Sequence, residues 1–140
     1  MKNYKLILFS ILLAFTATSS STLNEFTKST RVITIKLDEA GTGLILHDGL
    51  SNGPNIRTIV SAGDVIIWKL IPNQGIDSLV GIQVKEDNVS IFTADIVRRR
   101  DGSLIGTIGD FLPGTAESYG INYSINGVSY YHDPVIQIHD

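Results

Sequence analysis

Three histidines, His47, His132 and His139, are the only imidazoles in the chain, and no cysteine accompanies them. Without a thiol, cysteine nucleophiles, zinc–thiolate sites and the blue-copper centre are all excluded. His132-Asp133 precedes Pro134, and His139-Asp140 closes the sequence. A surface site built on His132 with Asp133, His47 or His139 is the metal chemistry open to these residues, through imidazole and carboxylate ligands to Zn²⁺ or Cu²⁺. His132 and His139 stand seven apart, which puts them on opposite faces of a continuous strand. The leading expectation is therefore half-exposed histidines at strand ends, with no cofactor. Asp48, Asp64, Asp77 and Asp110 each adjoin a glycine or a turn, where backbone geometry alone selects Asp. No D-x-D spacing of the kind that gathers calcium ligands occurs. Serines are present, but no G-x-S-x-G elbow activates one. A carboxylate pair of the glycosidase type has its spacing in three dimensions, so a small hydrolase stays as a weaker alternative. A domain this small leaves little room for a cleft, and the chain is read as non-enzymatic.

Two further groups carry binding chemistry. Tyr119 and Tyr123 share a strand face by spacing, and Tyr130 and Tyr131 follow across an Asn126-Gly127 turn. A hairpin can present such aromatics together, for stacking on a sugar or a peptide; the competing expectation is that they line a core edge. Arg98-Arg99-Arg100 flanks Asp101-Gly102, but consecutive strand residues alternate faces, so the run forms no single basic patch. A charged hairpin tip that keeps an edge from pairing is the expected role.

The elements that must position these residues are strands. Arg31 to Leu37 (RVITIKL) alternates with the two-residue period and β-branched content of a strand. Leu44 to His47 forms a short second one, and Asp48 to Asn55 (DGLSNGPN) is a loop by composition. Ile56 to Val60, Val65 to Leu70 and Leu79 to Lys85 follow, the last with Val80, Ile82 and Val84 on one side. Turns fall at Ser61–Asp64 and Glu86–Asn88. Asp101-Gly102 joins Asp95–Arg100 to Ser103–Ile108 as a hairpin. Phe111 to Ser118 is a loop around Pro113-Gly114. Tyr119 to Ile125, Val128 to Tyr131 and Val135 to His139 complete the set. After residue 30 no window supports a long amphipathic helix. Seven to nine short strands at regular turn spacing predict an all-β, Greek-key β-sandwich, with Trp68 as its large aromatic anchor.

Ahead of this domain, Lys2 and Lys5 precede the apolar run Leu6 to Ala17, and Ala17-Thr18-Ser19 offers a small-residue cleavage site. That order predicts a signal peptide over 1–19, too short in its apolar core to span a bilayer. A Ser/Thr-rich linker over 20–30 follows, then the domain over 31–140. The expected product is exported, secreted or periplasmic, with no membrane attachment after cleavage. The whole chain has 11 basic and 14 acidic residues, net −3; cleavage removes two lysines and leaves net −5. An acidic domain without clustered cations is no nucleic-acid binder.

The segment Val60-Ser61-Ala62-Gly63-Asp64-Val65-Ile66-Ile67-Trp68 resembles the V-x-A-G-D-x-V-x-W strand of cupredoxin-like domains. Tyr119 to Tyr123 and Val135 to Ile138 are similar to that family's last two strands. Together these cover about half of the domain, and immunoglobulin-like sandwiches share part of the pattern. The resemblance implies a cupredoxin-like topology, yet the copper ligands are missing. The loop after Trp68 (KLIPNQGIDS) has no His, Tyr123 stands where a Cys is expected, and the only methionine is Met1. The expected function is thus an exported, non-catalytic binding or structural module whose ligand is a protein, peptide or glycan.

Overall fold

A computed structural model describes residues 27–85 and 90–140. Residues 1–19, where a signal peptide is expected, residues 20–26 of the expected linker and the expected turn at Glu86–Asn88 lie outside the described residues. The described chain is built of strands: β1 (Thr30–Leu37), β2 (Leu44–His47), β3 (Asn52–Gly53), β4 (Arg57–Val60), β5 (Val65–Leu70), β6 (Ser78–Val84), β7 (Val97–Arg98), β8 (Leu104–Thr107), β9 (Ala116–Ile125), β10 (Val128–His132) and β11 (Val135–Ile138). They form two mixed sheets, an all-β sandwich. One sheet runs β3-β2-β1-β5-β8-β7; the other runs β10-β9-β11-β4, with β6 on the free side of β9.

Eleven strands exceed the seven to nine expected because β3 and β7 have only two residues each. β3 lies inside the predicted 48–55 loop, where Asn52 and Gly53 pair with His47 and Leu46. β7 shortens the predicted Asp95–Arg100 strand to Val97 and Arg98. β9 begins at Ala116, within the predicted 111–118 loop, because its first residues pair with β11. Local composition does not report that distant partner.

Each sheet contains one parallel pairing, β1 with β5 in the first and β4 with β11 in the second. Between β4 and β5 runs the Ser61–Asp64 turn. Gly63 takes a φ of +81° there, a conformation open to glycine at little cost. The buried Asp64 carboxylate accepts the Ser29 amide at 2.9 Å on Oδ1 and the Ser61 amide at 2.9 Å on Oδ2. One side chain thus fixes both the turn and the approach of the segment entering β1.

Alternation places Ile33, Ile35, Ile66, Trp68, Tyr119, Ile121 and Ile136 inside, each without exposed surface. Trp68 meets Phe92 and Tyr119 edge-on, with ring centroids at 5.7 and 5.6 Å. The indole Nε1–H donates to the Tyr119 hydroxyl at 3.0 Å, which satisfies the one polar atom that Trp brings into a core.

Candidate functional site

The most distinctive surface element is the β9–β10 hairpin. Its turn, Asn126-Gly127, has φ of 49° and 75°. Positive φ at both central positions defines the type I′ turn that matches strand twist. The Gly127 amide donates to Asp77 Oδ2 at 2.9 Å, and the Ser78 and Ser124 hydroxyls lie 3.0 Å apart. The hairpin is therefore held against the start of β6.

The register that pairs His132 with Ile121 in β10 continues unbroken to Val135 with Ser118 in β11. β10 and β11 are one strand interrupted at Asp133-Pro134, and the Pro134 carbonyl still accepts the Tyr119 amide at 3.1 Å. In antiparallel pairing, alternate residues turn their N–H and C=O toward the same neighbour. Along this strand the Val135 amide points away from β9, where it donates to the Ile56 carbonyl at 3.2 Å. By the same parity, the backbone groups of Ser129 and Tyr131 point away from β9. Among the described residues no strand pairs with that side of β10. Val128 to Tyr131 are all exposed.

The four tyrosines divide among three environments. Tyr119 has no exposed surface and lies inside the core against Trp68. It offers nothing to a ligand, and burial drives its phenol pKa far up. Tyr123, also facing inward, is buried beneath Tyr130, the two rings stacked with centroids 5.6 Å apart at 25°. Burial raises the Tyr123 phenol pKa, and the charge of Asp38 adds to it. Tyr130 keeps 40% of its surface exposed. Tyr131 points to the opposite face of the sheet, paired with Asn122 and 47% exposed. Its ring occupies the space where a side chain at Gly120 would stand. The Asp133 carboxylate beside its hydroxyl, ahead of burial, pushes its pKa up to about 12. The hairpin thus brings together Tyr123 and Tyr130, while Tyr131 lies on the opposite face of the sheet and Tyr119 in the core.

The three histidines do not converge. His47 ends β2 and its Nδ1 accepts the Gly49 amide at 3.2 Å. His132 ends β10, with Nε2–H donating to the Pro54 carbonyl at 2.5 Å. His139 follows β11, its Nδ1–H donating to the Asp140 carbonyl at 2.6 Å. Among the described residues no group of three His, Cys, Asp or Glu side chains is placed to hold a metal ion. The turn aspartates serve the backbone. Asp48 Oδ1 accepts the Ser51 and Leu50 amides at 2.7 and 3.0 Å. Burial alone would raise the Asp48 carboxyl, but these bonds and the Arg31 charge outweigh it and hold the pKa below its ordinary value.

The arginine run does one specific thing. Arg98 Nη2 donates to the Leu79 and Val80 carbonyls of β6 at 2.5 and 2.8 Å, and Nη1 to the Gly102 carbonyl at 3.2 Å. A guanidinium thus covers the edge of β6 opposite β9. Val80, expected to share a face with Ile82 and Val84, sits at a register irregularity between Leu79 and Gly81 and is exposed.

Glu117 carries no signal in the sequence, because it stands in a polar stretch that reads as loop. It points inward from β9, 2% exposed, and its Oε2 accepts the Ile91 amide at 2.7 Å. Its Oε1 has no partner among the described residues. Burial raises the pKa, and the Ile91 bond offsets that only in part. One carboxyl thereby anchors the segment crossing between the sheets. Compared with known proteins, the chain matches no family model and no curated protein.

Proposed function

We propose that this chain is an exported, non-catalytic binding module of cupredoxin-like topology without a type 1 copper centre. Its recognition element is the β9–β10 hairpin, and its ligand is a protein segment in extended conformation, added as a strand to β10. The export reading rests on the N-terminal lysines, apolar run and small-residue site. For the cupredoxin-like topology, the support is the placement of the Val60–Trp68 motif. Its turn bridges the two sheets, its strand lies inside one of them, and the closing strands β9 and β11 pair in the other.

The observation that carries the binding reading is the open, uncharged edge of β10 beside the stacked Tyr123–Tyr130 pair. Main-chain bonds to such an edge supply affinity, and alternate side chains supply specificity. The Asp48, Asp64 and Glu117 carboxylates, by contrast, all accept backbone amides. That is structural rather than catalytic use. A random peptide display library screened against the purified protein tests the proposal, with bound peptides mapped by amide chemical shifts. Selected peptides are expected to alternate β-branched or aromatic residues and to shift the Ser129 and Tyr131 amides most. Peptides that map elsewhere, or an absence of any selected peptide, overturn it.

A further inference from the structure

We infer that the open edge of β10 pairs with the β10 of a second copy of this chain, antiparallel and two-fold symmetric about Tyr130, so that self-association and ligand binding compete for one edge. This rests on reading that edge as the binding element. The other edges of the two sheets are protected. β3 and β7 are two residues long, and short edge strands template poorly. β4 is four residues long and carries Arg57. Arg98 covers β6 at Leu79 and Val80. Charge, irregularity and brevity are the ordinary protections of an edge. Within the five-residue β10, the run Val128-Ser129-Tyr130-Tyr131 carries no charge, no proline and no bulge.

The same strand is complementary to itself. A two-fold centre at Tyr130 sets Ser129 of one copy opposite Tyr131 of the other. These are the residues whose N–H and C=O face outward, so every outward donor meets an outward acceptor. Tyr130 then lies opposite its own copy in a non-hydrogen-bonded position, where side chains approach most closely, about 4.5 Å between Cα atoms. Each Tyr130 is already stacked on Tyr123, so the pairing makes one aromatic row across the joint. With no charge in the run, identical strands meet without the like-charge repulsion that disfavours directly opposed pairs. The symmetry also ends the assembly: an isologous contact uses both free edges and leaves none to propagate.

Sedimentation velocity of the full chain over rising concentration tests this, with two variants. Ser129→Pro removes an outward N–H and leaves the β9 ladder intact, as proline on an edge strand can. Val128→Lys puts a charge on a side chain that is already 55% exposed. The wild type is expected to pass from monomer to dimer, and both variants to stay monomeric with an unchanged amide spectrum for the core. If Ser129→Pro does not fold, Val128→Lys decides. A wild type monomeric at every concentration, or a dimer that survives the lysine, overturns the inference. A monomeric wild type whose Ser129 and Tyr131 amides still shift with selected peptides would sink self-pairing while leaving the binding reading intact. A dimer through this edge that selects no peptide keeps self-pairing and removes the peptide reading instead.

Discussion

Trp68 and Tyr119 share one buried hydrogen bond, and the core depends on it in an asymmetric way. Tyr119→Phe keeps the packing but leaves the indole N–H without an acceptor, a change expected to cost about 1–3 kcal/mol. Trp68→Ala removes the anchor itself, and losses of about 3–5 kcal/mol are usual for such truncations. Urea denaturation of both variants checks the order. Glu117 makes the stability depend on pH. Its carboxyl titrates above its ordinary value because it is buried, so the native state holds a proton that the unfolded chain releases. The stabilisation this gives is complete below the unfolded pKa and is lost as pH rises through the raised folded value. Asp48 works the other way, its lowered pKa giving stability that is present above the unfolded value and lost in acid. Glu117→Gln keeps an acceptor for the Ile91 amide and removes the titration. Its stability relative to wild type is therefore expected to rise with pH through and above the carboxylate range. Urea melts at a series of pH values measure this; a flat difference would show that Glu117 does not titrate as its burial demands.

At the scale of the elements, Gly120 and Tyr131 form a cross-strand lock. A methyl group at position 120 meets the Tyr131 ring, so Gly120→Ala is expected to destabilise by about 1–3 kcal/mol through overpacking. Adding Tyr131→Ala should recover much of that loss, and the non-additivity in a double-mutant cycle is the measurement. Arg98→Met keeps an aliphatic stem but uncovers the Leu79 and Val80 carbonyls. Greater aggregation on heating, followed by light scattering, is the expected outcome, since an uncovered edge templates pairing.

The sequence made some of these elements legible and hid others. The Asn126-Gly127 and Asp101-Gly102 turns and the strands at 44–47 and 65–70 announce themselves through turn chemistry and β-branched content over a few residues. The start of β9 at Ala116 does not, because Ala-Glu-Ser is polar and becomes strand only when β11 pairs with it from twenty residues away. Tyr119 and Tyr123 share a periodicity, yet only the distant Trp68 reveals that Tyr119 is core. Arg98 was legible as an edge protector, but the edge it covers, on β6, was not. That no strand among the described residues pairs with the outer side of β10 depends on where distant strands lie, and no local pattern encodes that.

Taken as a whole, the molecule is a sandwich held by packing and hydrogen bonds, with no disulfide available to it. Its pairings are largely non-local: β1 with β5 and β4 with β11 join segments far apart in sequence. Sheets dominated by such contacts fold slowly because the loops must close before the pairing repays them. Refolding by stopped flow is expected on a scale of about milliseconds to seconds; a microsecond phase carrying the full amplitude would contradict it.

The Ser61–Asp64 turn has one more consequence, for how the molecule is held. Ser29 is bonded to Asp64, and the His139 amide donates to the Val60 carbonyl at 2.7 Å. Both ends of the domain therefore emerge at a single pole. The Asn126-Gly127 tip lies at the other end of the β10–β11 strand, about 40 Å away along the chain at roughly 3.3 Å per residue. Any tether, spacer or fusion, at either end, would grip the domain by the same pole and hold the tyrosine hairpin out toward whatever lies beyond.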